Sequence, residues 1–205
     1  LAADELPVAL LHISGPGGIG KTSLLHAFQR IAAEQGVPTY YADARTLGSD
    51  AVAVSAGLQK ALAPADEGRC VLLIDTFEVL SGLEGWLFEE FFTTLSDQTL
   101  IVVAGRQPVS TRWLNDPGWR PLIQPMPLRN LSPDDSSTYL QRMGLPDDHH
   151  DRVVEYTHGH PLALSLVADL YAQRPGAFLE ASPGPNVIKV VLDRFMEDVA
   201  TPEHR

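Results

Sequence analysis

The sequence predicts an α/β fold: a parallel sheet flanked by helices, followed by a subdomain built of helices alone. Three observations predict it. Short apolar runs at Val8–Ile13, Cys70–Asp75 and Thr99–Arg106 read as strands buried on both faces of a parallel sheet. The first run leads at once into a glycine-rich turn and then a helical pattern, which is the start of a strand–turn–helix unit. From about Asn130 onward the spacing is helical throughout, so we place an α/β core at residues 1–129 and a helical lid subdomain at 130–205.

Composition bounds what such a chain does. The 205 residues, 44% hydrophobic and 20% charged, suit one well-cored domain with a small satellite and exclude a disordered chain. Cys70 is the sole cysteine, so no internal disulfide forms and a reducing, cytoplasmic setting is expected. No apolar stretch approaches the ~20 residues that cross a bilayer, and no basic segment with a following apolar core opens the chain; no membrane partner is expected. The chain starts at Leu1 rather than Met and reads as a segment of something longer. Its net charge of -11 repels polyanions, so direct nucleic-acid binding by this segment is not expected. An anionic ligand must be held by a local, preorganised site.

One such site follows the first strand. Gly15-Pro16-Gly17-Gly18-Ile19-Gly20-Lys21-Thr22 matches G-x-x-x-x-G-K-[ST] at every fixed position. The helical stretch Ser23–Gln35 has Leu24, Leu25, Phe28 and Ile31 on one face and Gly36 just past its end. Glycines let the backbone turn its N–H groups onto phosphate oxygens, and the helix beginning near Lys21 aims its positive dipole end at them. Lys21 is placed to reach the outer phosphates, and the Thr22 hydroxyl to ligate Mg²⁺, with Ser23 beside it. With glycine near ~7% of residues, a chance match in a chain of this length is roughly a one-in-a-hundred event.

The second strand ends in Asp75. An acid at the carboxyl end of a buried strand sits where open α/β sheets place ligand chemistry, and Asp75 is expected to hold Mg²⁺ beside Thr22, through a water. The residue after it is Thr76 and the nearest acid is Glu78. Glu78 either orients an attacking water or caps the following segment. The third strand ends in Arg106, placed to pair with a terminal phosphate. Between them Trp86, Leu87, Phe88, Phe91, Phe92 and Leu95 form the core stripe of a helix. Asp116–Trp119 is a turn, and Leu122–Met126 one more strand, broken by proline. Ser132 and Pro133 start a helix as N-cap and first residue, which Gly144 closes. Further helices are expected from Asp147 to Thr157, from Pro161, and from Val187 to Val199.

The order Gly15–Thr22, Leu72–Asp75, Val103–Arg106 and Gly159-His160-Pro161-Leu162-Ala163-Leu164 resembles the signal-transduction ATPases with numerous domains, the STAND class within the AAA+-like, ASCE-type P-loop NTPases. It is similar to the ATP-binding modules of bacterial LuxR-type and SARP-type transcriptional regulators. The resemblance covers roughly Val8 to Ala172. It implies a five-stranded parallel sheet with the phosphate-loop strand between the Arg106 strand and a neighbour. It also implies Arg106 as the sensor arginine, Pro161 against the adenine, and ATP or ADP with Mg²⁺ as ligands. It implies slow hydrolysis, other domains of the same full-length protein as partners, and nucleotide-dependent self-assembly.

Other conspicuous residues carry less. Consecutive side chains in Asp147–Asp151 point in different directions on a helix, which suits a solvated surface better than a metal cluster. His12 and His26 are expected to pack against the sheet. Arg45, Arg112 and Arg129 lie near strand ends, where any could touch phosphate. The function expected is a nucleotide-binding regulatory switch with weak ATPase activity. The alternatives are an AAA+-type motor or loader and, below it, a small-molecule phosphotransferase.

Overall fold

The computed structural model describes residues 8–62 and 68–173; the helix expected at Val187–Val199 lies outside them. The chain divides into two compact units, Leu1–Leu128 and Arg129–Arg205.

In the first unit, strand β1 (Leu10–Ser14) leads through the glycine-rich turn into helix α1 (Lys21–Glu34). Strand β2 (Thr39–Asp43) and helix α2 (Ala51–Leu62) follow, then β3 (Cys70–Asp75). After β3 come a 3-10 turn (Phe77–Leu83), the short α3 (Glu84–Trp86), a π-helical turn (Leu87–Phe91) and a 3-10 turn (Phe92–Thr94). Strand β4 (Thr99–Gly105), α4 (Thr111–Asn115) and β5 (Ile123–Pro127) complete the unit. The five strands are parallel, in the order β2-β3-β4-β1-β5. β1 therefore lies between β4 and β5, as the resemblance implies.

Strand alternation builds two cores. Leu72 and Ile74 of β3 and Ile101 and Val103 of β4 face one way, onto Val54, Leu58 and the aromatic segment. Val71, Leu73, Val102 and Ala104 face the other way, onto Leu25. Burial on both faces explains why these strands read as continuous apolar runs. The aromatic stripe is not the single helix expected. Gly82 and Gly85 weaken α-helix there; the π turn sets Leu87, Phe88 and Phe91 into the core, and the 3-10 turn after it sets Phe92 there. Of the apolar face expected on α1, Leu25 is fully buried but Ile31 is 44% exposed.

β5 is an edge strand, which is where the prolines at 125 and 127 are tolerated. The N–H of Leu128 donates to Ser14 of β1 at 2.7 Å, and the N–H of Ile123 turns back to Trp119 at 3.0 Å.

His12 sits inside β1, 3% exposed, with its ring edge-on to Phe77 at 6.0 Å between centroids. Burial pushes its pKa from 6.5 down to about 4, so the folded ring is neutral at physiological pH. The unfolded chain protonates this ring below its ordinary pKa while the fold does not. Its contribution to stability is thus complete above pH 6.5 and falls as the pH drops toward 4. Between about pH 7 and pH 5, urea denaturation of His12→Leu is expected to show a loss of unfolding free energy smaller than the parent's by about 2 kcal/mol. Equal losses would remove His12 from the account.

In the second unit, Ser132 caps α5 (Pro133–Arg142) by accepting the Asp135 N–H at 3.1 Å. A 3-10 turn (Asp147–His149) leads into α6 (His150–Thr157), and α7 (Pro161–Gln173) follows. Leu140, Leu145, Val153, Leu164 and Val167 form its core. Gly159 passes so close to Leu131 that a Cβ there would lie 2.2 Å from the Leu131 carbonyl oxygen, and only glycine fits.

Candidate functional site

The carboxyl ends of β1, β3 and β4 bring the predicted residues of the first unit to one edge of the sheet. Parallel register fixes their level: Ser14 pairs with Gly105, and the Gly15 N–H donates to the Gly105 carbonyl at 3.2 Å. The turn from Gly15 to Gly20 is held down by Ile19, whose side chain is buried. Gly20 caps α1 at φ 101°, a conformation glycine takes without steric cost. No side chain caps α1 and no acid occupies its first turn. The amides of Lys21, Thr22 and Ser23 precede the first helical bond, from Leu24 N–H to Gly20 at 2.9 Å. Such a helix start is an anion site.

Lys21 folds back over the turn. Its ammonium donates to the carbonyls of Gly15 at 2.7 Å and Pro16 at 2.9 Å. Burial pushes its pKa down, opposed by the charges of Glu78 and Asp75 and reinforced by Arg106. Those four side chains therefore share one electrostatic neighbourhood.

Asp75 is 4% exposed. Its Oδ2 accepts the Thr22 hydroxyl at 2.7 Å, across 53 residues of sequence. The same oxygen accepts the Tyr41 hydroxyl at 2.9 Å. Its Oδ1 accepts the N–H of Thr76 at 2.7 Å. Thr76 holds φ at 56°, a left-handed conformation that costs a branched residue energy and clusters at functional sites. Because the Thr22 hydroxyl spends its only proton on Asp75, its lone pairs remain as acceptors. Oδ1 of Asp75 likewise keeps a lone pair. A hydroxyl oxygen and a carboxylate oxygen beside an anion site are the donor set that Mg²⁺ takes, so the residues fit the ion.

Glu78, in the turn after β3, is tied to Arg106. Its Oε2 accepts the Arg106 N–H at 3.2 Å, and the Arg106 Nε lies 3.2 Å from its Oε1. The carboxylate packs against Gly105, where an added Cβ would lie 3.4 Å from Oε2.

Pro161 opens α7 and belongs to the second unit, as does Arg129. Arg45 grips Asp43, with Nε to Oδ1 at 2.9 Å. Arg112 pairs with Glu89 and lines a cavity of about 600 Å³ with Ala9, Thr99 and Leu122. Those three residues stand where β1, β4 and β5 begin, so Arg112 lies at the opposite edge from the phosphate loop and is not a phosphate ligand in this arrangement. His26 is exposed on α1 rather than packed on the sheet, and it stacks on Tyr41 at 5.6 Å. Tyr41 itself is the residue sequence reasoning missed. Its pKa is pushed up to about 12 by burial and by the Asp75 carboxylate, so its hydroxyl stays a donor.

No protein-family model matches the chain. By structure it is similar to a DNA replication initiation factor, over 84% of this chain and 57% of that one, at 21% identity and a TM-score of 0.61. It is similar to the RuvB Holliday junction branch migration motor of Thermotoga maritima, over 91% and 62%, at 16% identity and a TM-score of 0.60. AMPPCP-bound DnaA from Aquifex aeolicus matches over 83% and 57%, at 20% identity and a TM-score of 0.58. The fold is that of the AAA+ P-loop ATPases. The chain spans 57–62% of the length of these AAA+ structures. Among the described residues no helix is long and apolar enough to cross a membrane.

Proposed function

We propose that the chain is the nucleotide-binding module of an AAA+-type ATPase, taking ATP or ADP with Mg²⁺ and hydrolysing ATP. The observation that carries this reading is the bond from Thr22 to Asp75 at 2.7 Å. It joins the phosphate loop to an acid from a distant strand, at an uncapped helix start. The bound Mg²⁺, held by Thr22 and Asp75, would supply charge neutralisation at the phosphates.

The chain's own residues do the rest. Amides of the loop and of α1 would bind phosphate oxygens, and Lys21 would exchange its two loop carbonyls for them. Arg106 would trade the Glu78 carboxylate for a terminal phosphoryl oxygen, a stronger partner because it carries more charge. Glu78, so released, would accept a proton from the attacking water. On this reading the Glu78–Arg106 pair is the resting state. Glu78→Gln is expected to lower ATP turnover by about a hundredfold while ATP affinity stays within about twofold, since the residue acts on the water. Unchanged turnover would assign Glu78 to capping alone.

Within the AAA+ class, similarity to a replication initiation factor and a branch migration motor favours a motor or loader. The finer STAND-type switch of a signalling or transcription-regulating protein draws support from Thr76, which stands where a water-polarising glutamate would follow Asp75. In both, the partners proposed are other domains of the full-length protein and, on ATP, further copies of it. Pro161 enters as an adenine contact only through the resemblance. The test is the nucleotide that co-purifies and its turnover. A motor would turn over at about 1 s⁻¹ or faster; tightly retained ADP with far slower turnover would mark a switch. Release of ADP only with an added acceptor would mark a phosphotransferase, and absence of any nucleotide binding would refute the proposal.

A further inference from the structure

Asp75 is a buried carboxylate with about four acceptor positions, and three are filled by donors from three elements: Thr22 of α1, Tyr41 of β2 and the Thr76 backbone after β3. Two of the three converge on Oδ2, which leaves Oδ1 as the oxygen with a position to spare. Tyr41 is itself held on both sides. Its backbone pairs in register with Leu73 of β3, and its ring stacks on His26 of α1 with 22° between the planes. We propose that Tyr41 is a positioning residue for the divalent cation: by occupying Oδ2 together with Thr22, its hydroxyl fixes the Asp75 carboxylate so that Oδ1 and the Thr22 oxygen are the groups offered to the ion.

The terminal torsion of an aspartate is broad and weakly restrained by its own rotamers. Without the tyrosine hydroxyl, Oδ2 keeps one donor in place of two, and the carboxylate is free to turn. The Thr22 hydroxyl, whose proton direction follows Oδ2, turns with it. The backbone amides of the phosphate loop and the Lys21 ammonium are untouched by that change. Tyr41 therefore sets cation affinity and leaves nucleotide affinity without cation alone. The inference rests on the proposed function, because it concerns the cation of that same site.

The test is Tyr41→Phe, which keeps the ring and its stacking. Mn²⁺, which stands in for Mg²⁺ and is counted directly by electron paramagnetic resonance, is titrated into each chain at saturating ADP, and ADP affinity is measured separately in EDTA. The Mn²⁺ dissociation constant is expected to rise about tenfold, as for other residues that orient metal ligands, with ADP affinity in EDTA within about twofold of the parent. Equal Mn²⁺ affinity in variant and parent overturns the inference alone. A parallel loss of ADP affinity in EDTA also overturns it, by showing that the hydroxyl supports the loop as a whole. A parent chain that binds no ADP under either condition refutes the proposed function itself.

Discussion

Replacing Lys21 with alanine is expected to abolish nucleotide binding and leave the chain folded. The ammonium makes two hydrogen bonds, both to carbonyls of its own turn, and it packs into neither core. Its removal therefore costs the fold little. The loss at the site is different in kind. Charge-assisted bonds are each worth about 1.5–3 kcal/mol, and a single ammonium serving two phosphates makes more than one. A drop of about a hundredfold or more in ATP affinity follows. Calorimetric titration with ATP, beside a circular dichroism melt, separates the two effects. Unchanged affinity in a folded variant would refute the phosphate-loop assignment.

Asp75→Asn is expected to lower Mg²⁺-dependent turnover by at least about a hundredfold, with ATP binding in EDTA nearly preserved. The substitution keeps the shape but turns one carboxylate oxygen into an NH₂ donor. Oδ2 accepts two hydroxyls and Oδ1 accepts the Thr76 amide, so an NH₂ in place of Oδ1 sets donor against a fixed donor, and one in place of Oδ2 makes both hydroxyls turn their protons away and lose their acceptor. The variant is expected to be less stable by about 1–3 kcal/mol as well, because a buried donor is left unmet. Turnover equal to that of the parent would remove Asp75 from the cation site.

What was legible beforehand tracks how each element is buried. β3 and β4 are covered on both faces, and their apolar runs gave away both the strands and the residues that end them. The glycine-rich turn was legible because its geometry admits few residue types. β2 was not located from its residues. Thr39-Tyr40-Tyr41-Ala42-Asp43 is a half-exposed edge strand whose two tyrosines are adjacent and whose other residues are small or polar, so it shows neither an apolar run nor a clean alternation. With β2 went Tyr41, whose role comes from register with β3 and from no local motif. The Glu78–Arg106 pair was equally out of reach, since both residues were candidates but their contact depends on how the turn after β3 folds over Gly105. In the second unit, the caps at Ser132 and Gly144 and the start at Pro161 followed from turn chemistry.

The outer side of β5 is chemically mute. Along that strand alternate residues point their backbone groups toward β1 or away from it, and Leu128 points toward β1, so 123, 125 and 127 point away. Two of these are prolines and the third spends its N–H on Trp119. An approaching chain would find carbonyls there and no hydrogen to answer its own, so templated growth of fibrils from this margin is disfavoured at every outward position.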